Sequence, residues 1–183
     1  GAGSAALGCA ELWGATEPAE RPWVVDSRGV VPPTHPDPRK ARFGRPYLGG
    51  SDLRSIVEAV RPTVLVGLSG RPNLFTPEVL AAMPPRAVVM ALSNPNACAE
   101  VDPDTVFAVP GHTFAYCSGS PWASFPHNQA NNMHVFPHLG RDSLARPGIT
   151  DAMVLDAAYA LANRVPRTDV VRGVFYPRSV AKK

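Results

Sequence analysis

The sequence lacks the patterns that mark several classes of protein. No run of residues approaches the roughly 20 apolar residues that a membrane-spanning helix requires, so we expect no membrane association. The three cysteines, Cys9, Cys98 and Cys117, are odd in number and have no C-x-x-C spacing, which argues against a disulfide framework and a zinc site. Free cysteines indicate a reducing compartment, either the cytoplasm or an organellar matrix.

Charge is also sparse. The chain has 18 Lys and Arg against 15 Asp and Glu, a net charge of +3, and its basic residues are scattered, which argues against nucleic acid as a partner. A hydrophobic fraction of 45% in 183 residues is typical of one soluble domain, so we expect a single domain over residues 1–183. Proline is abundant instead, with 21 residues, and should keep the helices short.

The first eight residues form a glycine-rich turn, Gly-Ala-Gly-Ser-Ala-Ala-Leu-Gly. In a dinucleotide-binding fold, the Gly-x-Gly-x-x-Ala pattern joins a strand to a helix: Gly1 permits the turn, Gly3 admits the pyrophosphate and Ala6 packs closely on the strand. The phosphates would lie on free N–H groups at the helix N-terminus. A turn of small residues that binds nothing also fits this pattern. The cofactor-binding candidates here are Gly1, Ala2, Gly3, Ser4 and Ala5.

A second part of the dinucleotide pattern follows at residues 21–26, a short apolar run that ends in Asp26. An acid at about this distance from the glycine turn typically binds the adenosine ribose. A strand should precede such a turn, and none precedes Gly1, so we expect a fragment that is incomplete at both ends. The predicted fold is α/β, a Rossmann-type doubly wound parallel sheet with its first strand missing.

Strand and helix patterns alternate along the rest of the chain. Continuous apolar runs at 63–67 and 87–92 predict parallel strands that are covered on both faces. Further strands are predicted at 23–26 and 113–117, and a long loop at 30–50. The predicted helices run from Ala5 to about Gly14, from the Asp52 cap to Val60, over 77–83, and from the Thr150 cap onward with an apolar stripe of Val154, Leu155, Ala158, Leu161, Ala162 and Val165.

Small polar residues follow three of these segments, at the strand ends where ligands bind in such sheets. Ser69 follows the strand at 63–67 and Asn94 follows the next strand, and we expect both to bind the cofactor. Asn131 and Asn132 lie farther along, and with Asn94 they are the candidates for binding substrate. An amide both donates and accepts hydrogen bonds, which suits a hydroxy acid or a carboxamide. Alternatively, Asn94 makes an Asx-turn before Pro95, and the later pair merely caps a helix.

Taken in order, these motifs resemble those of the malic enzyme family. The resemblance is carried by residues 1–8, 25–30, 61–67, 91–95, 118–121, 131–132 and 149–151 and by the Tyr-Pro step at 176–177. It extends over nearly the whole chain, and the chain is similar to about a third of such an enzyme.

The resemblance implies an oxidoreductase that oxidises L-malate with NADP or NAD and decarboxylates it to pyruvate with Mg²⁺ or Mn²⁺, in a homo-oligomeric parent protein. In that family the metal ligands and the acid–base pair precede the glycine turn, so it implies no catalytic residue and no metal ligand in this chain, and a fragment that is inactive alone. The residues that carry over are Gly1, Gly3 and Asp26 for the dinucleotide and Asn94, Asn131 and Asn132 for the substrate and nicotinamide.

The loop after Asp26 bears on the choice of cofactor. A carboxylate at the ribose favours NAD, whereas the 2′-phosphate of NADP needs a nearby cation. Ser27 adds neither bulk nor charge, and Lys40, three residues before Phe43, falls where NADP-using malic enzymes resemble one another in carrying a Lys. We therefore expect NADP, with NAD as the alternative. A solvated basic loop without this role is the other interpretation.

Three departures from the family pattern leave a second function class open. The segment between Gly14 and Trp23 is shorter, Cys117 replaces a small Ala, and the charged segment 138–143 replaces an apolar helix that should be buried. A buried unpaired charge costs several kcal/mol, so either Arg141 pairs with Asp142 or this helix is displaced. The alternative function is a non-catalytic dinucleotide-binding or interaction module derived from the same fold.

Overall fold

Helices and strands alternate between residues 53 and 118, as predicted. The computed structural model describes residues 1–16, 22–145 and 148–177. The strands are β1 (Val25–Asp26), β2 (Gly29–Val30), β3 (Val64–Gly67), β4 (Val88–Ala91) and β5 (Ala115–Ser118). The helices are α1 (Ser4–Thr16), α2 (Pro38–Ala41), α3 (Leu53–Val60), α4 (Pro77–Ala81), α5 (Pro103–Phe107), α6 (Phe136–Ala145), α7 (Asp151–Ala162) and α8 (Arg167–Val171), with 3₁₀ turns at Asn96–Cys98 and Asn132–His134.

The main sheet is parallel, which confirms the α/β prediction. Its strands lie in the order β3-β4-β5, with Val64 opposite Val88 and Val88 opposite Ala115. A single parallel bridge between Ser118 and Gln129 extends the sheet beyond β5. Because all these segments run in one direction, their carboxyl ends meet at one edge. This edge carries the candidate site, as the Rossmann-type fold predicts.

The predicted strand at 23–26 does not join the main sheet. The part of it that forms a strand is β1, which pairs antiparallel with β2 in a hairpin. Backbone N–H and C=O groups need hydrogen-bonding partners, and β2, which follows directly, supplies them. Gly29 in this hairpin has φ of 110°, a conformation that side chains disfavour. The hairpin packs against α1 through a small apolar core of Ala2, Leu7, Ala10, Val24, Val31 and Phe43.

The segment at 30–50, expected to be a loop, is anchored at both ends. Val31 and Phe43 are buried in the core shared with α1. Between them lies α2, whose N-terminus is capped by Asp37 accepting the N–H of Arg39 at 2.9 Å. This loop therefore has a fixed position beside α1.

One face of the main sheet is buried and the other is partly open. Side chains alternate between the two faces of a strand, and on one face Val89, Ala91 and Tyr116 pack with α3, α4 and α5. On the opposite face, Val64 is 43% exposed and Val66 is 41% exposed. The prediction that both faces are covered is therefore wrong at β3.

Helix α7 lies across the other part of this open face. It begins at the predicted cap, where Thr150 Oγ1 accepts the N–H of Met153 at 3.3 Å. Its buried residues are Met153 and Ala157, so the predicted stripe is wrong in part. Ala158, Leu161 and Ala162 of the stripe instead line an open apolar groove of about 410 Å³ between α7 and the sheet.

Two further helices differ from expectation. Helix α1 continues through Gly14 to Thr16, where the Thr16 hydroxyl donates to the carbonyl of Trp13 at 2.9 Å. The charged segment 138–143 belongs to α6. The family pattern predicts a buried helix here, but Arg141 is exposed, so the charge of Arg141 is not buried. The side chain of Asp142 lies outside the described residues, as do residues 17–21 of the segment between Gly14 and Trp23 that the family pattern marks as shorter.

Candidate functional site

The glycine turn leads directly into α1. The first helical hydrogen bond runs from the N–H of Leu7 to the carbonyl of Gly3 at 3.0 Å. The N–H groups of the first turn, including those of Ser4 and Ala5, therefore have no acceptor within the helix, and both residues are exposed. Such N–H groups, together with the positive end of the helix dipole, suit an anion.

The two predicted glycines of the turn differ in their surroundings. A Cβ atom on Gly1 would lie 3.1 Å from the carbonyl oxygen of Leu68 and from Cα of Ser69, so Gly1 packs closely on the loop after β3. A Cβ atom on Gly3 would meet no described atom within 4 Å. Packing within the chain thus explains Gly1 but not Gly3, and the space at Gly3 is open to an approaching group.

Asp26 lies at the end of β1 beside this turn. The core that includes Ala2 and Val24 holds the hairpin against α1. Oδ1 of Asp26 accepts the N–H of Arg28 at 2.8 Å, while Oδ2 lies 3.7 Å from Nζ of Lys40 and 3.8 Å from Nε2 of His35. Local folding therefore brings together Asp26 and Lys40, which are 14 residues apart in the sequence.

Other basic residues near this hairpin have different partners. Arg39 donates to both carboxylate oxygens of Glu11 on α1, with Nη2 at 3.1 Å. The guanidinium of Arg42 lies 5.8 Å from the ring centre of Phe43. Ser27 is exposed at the tip of the hairpin. Among the described Lys and Arg side chains, Lys40 is the one that forms an ion pair with Asp26.

The loops after β3 and β4 are joined by a buried acid that the sequence reasoning missed. Ser69 donates to Oε1 of Glu100 through its N–H at 2.8 Å and its hydroxyl at 2.7 Å, and the Ser93 hydroxyl donates to the same atom at 2.6 Å. Burial raises the pKa of Glu100, but these hydrogen bonds outweigh it and hold the pKa below its usual value. A lone acid in the small apolar segment 97–101 was the available signal.

The next contact along the edge joins the loops after β4 and β5. Oδ1 of Asn94 accepts the hydroxyl hydrogen of Ser120, and its Nδ2 lies 3.5 Å from the carbonyl oxygen of Leu92. A Cβ atom on Gly119 would lie 2.8 Å from Oδ1 of Asn94, so the two loops touch closely. The side chain of Asn94 therefore contacts the loop after β5 rather than forming an Asx-turn.

Asn131 and Asn132 lie at the same edge, just after the bridge beside β5. The N–H of Ala130 donates to the carbonyl of Ser118 at 2.8 Å. Oδ1 of Asn131 accepts the N–H of Met133 at 3.0 Å, so this side chain caps a 3₁₀ turn, as one interpretation predicted. Asn132 is exposed, and its side chain forms no hydrogen bond with the described part of the chain.

A second residue that the sequence reasoning missed is Asn128, which no local pattern marks. Its buried amide donates to the carbonyl oxygens of Tyr116 at 3.0 Å and Gly173 at 2.6 Å, and accepts the N–H of Phe175 at 2.6 Å. These bonds hold the C-terminal segment on β5. Burial raises the pKa of the adjacent Tyr176 to about 12, so this phenol is neutral at physiological pH.

The described residues do not fit a divalent metal. Over residues 1–16, 22–145 and 148–177, no group of three His, Cys, Asp or Glu side chains is placed to hold one. No described helix has the length and apolar character needed to cross a membrane. Cys9, Cys98 and Cys117 are free, with Cys9 exposed and Cys117 buried. The polar groups that the described candidate residues present are N–H groups, amides, Asp26 and Lys40.

Comparison with known proteins agrees with this geometry. The family model for the malic enzyme NAD-binding domain matches residues 1–182. The mitochondrial NAD-dependent malic enzyme 1 of Arabidopsis thaliana is 34% identical over 97% of this chain and 34% of its own length. NADP-dependent malic enzyme 1 of the same plant is 32% identical over 97% and 35%, and the NADP-dependent malic enzyme of Dictyostelium discoideum is 33% identical over 97% and 37%.

The chain thus spans about a third of the length of the curated relatives it matches. Its alignment with the first of them covers 214 residues against 183 in the chain, so the chain is shorter than that relative within the shared region. The family model matches nearly every residue, and the structure agrees with it in the parallel sheet and in the glycine turn at the start of α1. The chain belongs to the malic enzyme family, of which it represents the NAD-binding domain.

Proposed function

We propose that this chain binds a dinucleotide at the N-terminus of α1, as the cofactor-binding part of an enzyme that oxidises L-malate and decarboxylates it to pyruvate. The observation that carries the proposal is the open space at Gly3, next to helix N–H groups that lack an intrahelical acceptor. Packing within the chain does not require a glycine here, and the open space beside these N–H groups leaves room for a pyrophosphate. The names of the relatives, NAD- and NADP-dependent malic enzymes, support the same function.

Each part of the dinucleotide has a candidate partner along the edge of the sheet. The pyrophosphate lies on the N–H groups of α1, with Gly1, Ala2, Gly3, Ser4 and Ala5 forming the turn around it. Asp26 faces the adenosine ribose, with Ser27 next to it. Asn94 lies at the carboxyl end of β4, toward the nicotinamide. The bound dinucleotide supplies the hydride acceptor, and the chain binds and orients it.

The pairing of Lys40 with Asp26 supports NADP as the cofactor. A 2′-phosphate close to a bare carboxylate would be repelled, and an ammonium group 3.7 Å from that carboxylate offsets the repulsion. Lys40 is only 24% exposed, and its side chain lies beside Asp26, the residue that we propose for the ribose. NAD remains the alternative, since the relatives include enzymes of both kinds.

The substrate side of the proposal rests on three amides. Asn94, Asn131 and Asn132 lie at the carboxyl edge of the sheet, where their amides can hold the hydroxyl and carboxylate oxygens of malate or pyruvate. Mg²⁺ or Mn²⁺ is held by residues outside this chain, and the parent enzyme is a homo-oligomer. The three free cysteines support the cytoplasm or an organellar matrix as its compartment.

A titration of the 183-residue chain tests the proposal. NADP and NAD are added separately while tryptophan fluorescence and heat release are recorded, and a malate assay with Mn²⁺ is run in parallel. We expect saturable binding that ADP-ribose displaces and adenosine does not, because the pyrophosphate supplies the main contact. We expect no formation of pyruvate. A folded chain that binds neither dinucleotide contradicts the proposed function.

A further inference from the structure

Glu100 is a fully buried acid without a cationic partner among the described Lys, Arg and His side chains. A buried carboxylate is costly unless hydrogen bonds satisfy it. Here three donors converge on Oε1, from the N–H and hydroxyl of Ser69 and the hydroxyl of Ser93, and the N–H of Ser93 lies 3.4 Å from Oε2. The hydrogen bonds that satisfy the carboxylate thus come from the loops after β3 and β4.

The side chains of Glu100, Ser93 and Ser69 form a cluster that accepts hydrogen bonds from three consecutive N–H groups of the loop after β3. The N–H of Ser69 donates to Glu100, that of Gly70 to Oγ of Ser93 at 2.8 Å, and that of Arg71 to Oγ of Ser69 at 3.1 Å. A hydroxyl has one proton to donate and lone pairs to accept with. Because both serines donate their proton to Glu100, their lone pairs face the N–H groups of Gly70 and Arg71. Glu100 therefore sets the direction of both hydroxyls and the shape of the loop.

The end of β3 is shaped to admit this carboxylate. A Cβ atom on Gly67 would lie 2.6 Å from both Cγ and Oε2 of Glu100, a separation that real atoms do not adopt. Only a glycine at this position leaves room for the acid. Glu100 thus packs directly on Gly67 while its carboxylate bonds to the loop that follows β3.

This loop is also the surface on which the glycine turn packs, since a Cβ atom on Gly1 would lie 3.1 Å from Cα of Ser69. We propose that Glu100 is a positioning residue for the dinucleotide site: its carboxylate fixes the 69–71 loop, and that loop sets the position of the glycine turn at the start of α1. This inference rests on the proposed function. It also assigns Ser69 a supporting role, because its N–H and hydroxyl hydrogen are already used by Glu100.

A pair of substitutions separates hydrogen bonding from charge. Glu100→Gln keeps a carbonyl oxygen for the three donors at Oε1 and places its NH₂ group at Oε2, where the contact is weak. Glu100→Ala removes all of these acceptors. We expect the NADP dissociation constant to rise by no more than about threefold in E100Q and by at least about tenfold in E100A, because neutral acceptors keep most of the geometry.

Two further variants distinguish a local effect on the loop from a general loss of stability. Val106→Ala creates a cavity in the buried core without touching the loop, so we expect it to lower the unfolding midpoint but leave NADP affinity unchanged. Ser93→Ala keeps Glu100 but removes the acceptor of the Gly70 N–H. We expect it to weaken NADP binding and to expose that one amide, which tests the cluster even if E100A fails to fold.

Amide hydrogen exchange of the ligand-free chain gives a readout that does not depend on binding. We expect E100A to lose protection at Ser69, Gly70 and Arg71, while the N–H of Asn73, which donates to the carbonyl of Ala99 at 3.2 Å, keeps its protection. Unchanged protection at the three amides overturns the inference, as does an equal loss of affinity in E100Q and E100A. If the wild-type chain binds no dinucleotide but E100A still loses protection at the three amides, the proposed function is overturned, and with it a positioning role for a dinucleotide, while the loop geometry stands.

Discussion

Nζ of Lys40 lies 3.7 Å from Oδ2 of Asp26, and both side chains are more than three-quarters buried. In the dinucleotide site that we propose, this pair lies at the 2′ position of the adenosine ribose. We therefore expect Lys40→Gln to weaken NADP binding by about 1 to 2 kcal/mol, the contribution of one charge-assisted contact, and to leave NAD binding nearly unchanged. Titration calorimetry with both dinucleotides measures the difference.

The matched control for this prediction is Arg54→Gln. Arg54 pairs with Glu58 on the surface of α3, so its removal changes the net charge equally through an ion pair that does not involve Asp26. We expect R54Q to bind both dinucleotides as the wild type does. An equal loss of NADP and NAD affinity in K40Q shows that Lys40 does not bind the 2′-phosphate of NADP.

The space at Gly3 gives a second prediction. A side chain there meets no described atom, but Gly3 is the N-cap of α1, where valine is disfavoured, so Gly3→Val should lower the free energy of unfolding by only about 1 kcal/mol. The same side chain occupies the path of the pyrophosphate, and we expect NADP and NAD affinity to fall by at least about tenfold. Urea unfolding measures the first quantity and fluorescence titration the second.

Gly8 offers the control for this substitution, since it lies in α1 and a Cβ atom there also meets nothing within 4 Å. Gly8→Ala should stabilise the helix by about 0.5 to 1 kcal/mol and leave binding unchanged. If Gly3→Val binds dinucleotides as tightly as Gly8→Ala does, the pyrophosphate lies elsewhere.

Features set by neighbouring residues were predictable from the sequence. Asp52 caps α3 by accepting the N–H of Ser55 at 3.0 Å, and Thr150 caps α7, because capping joins residues three positions apart. The parallel strands follow from short apolar runs separated by helices. The order of the family motifs then indicated the edge of the sheet at which the candidate site lies.

Features set by distant partners were not predictable. Glu100 is satisfied by Ser69, 31 residues away, and Asn128 by Phe175, 47 residues away. Neither distance leaves a local pattern. The exposure of Val64 has the same origin, because an apolar strand residue is buried only where another element covers it. The sequence of β3 indicates a strand but not which of its faces is covered.

Asp102 gives a prediction for the dependence of stability on pH. It caps α5, with the N–H and hydroxyl of Thr105 donating at 2.8 and 2.7 Å. Burial raises the pKa of Asp102, but the bonds from Thr105 outweigh it and hold the pKa below its usual value. A lowered pKa stabilises the folded state above the ordinary value of about 3.9, and this stabilisation is lost as the pH falls through the lower folded-state value.

Asp102→Asn keeps a capping oxygen but does not titrate. We expect the wild type to exceed D102N in free energy of unfolding at neutral pH, and the difference to shrink below about pH 4. Glu100 and Asp52 titrate in both proteins, so the difference isolates Asp102. Urea unfolding at a series of pH values measures it. If the difference in free energy of unfolding between wild type and D102N stays constant at the lowest pH of the series, the pKa of Asp102 is not lowered in the folded state.

Asn128 gives the last prediction, because one buried amide joins β5 to the C-terminal segment. It also has φ of 56°, in the left-handed region that Asn tolerates better than most residues. Asn128→Ala removes three hydrogen bonds and leaves the N–H of Phe175 and two carbonyls without partners. We expect the free energy of unfolding to fall by about 2 to 4 kcal/mol.

Asn128→Gly separates the hydrogen bonds from the backbone conformation. It loses the same three bonds but adopts a positive φ without strain, so we expect it to be about 1 kcal/mol more stable than N128A and still less stable than the wild type. Hydrogen exchange at the N–H of Phe175 should become fast in both variants, since this donor has lost its acceptor. If both variants unfold at the wild-type urea concentration and this amide stays protected, Asn128 does not hold the C-terminal segment on β5.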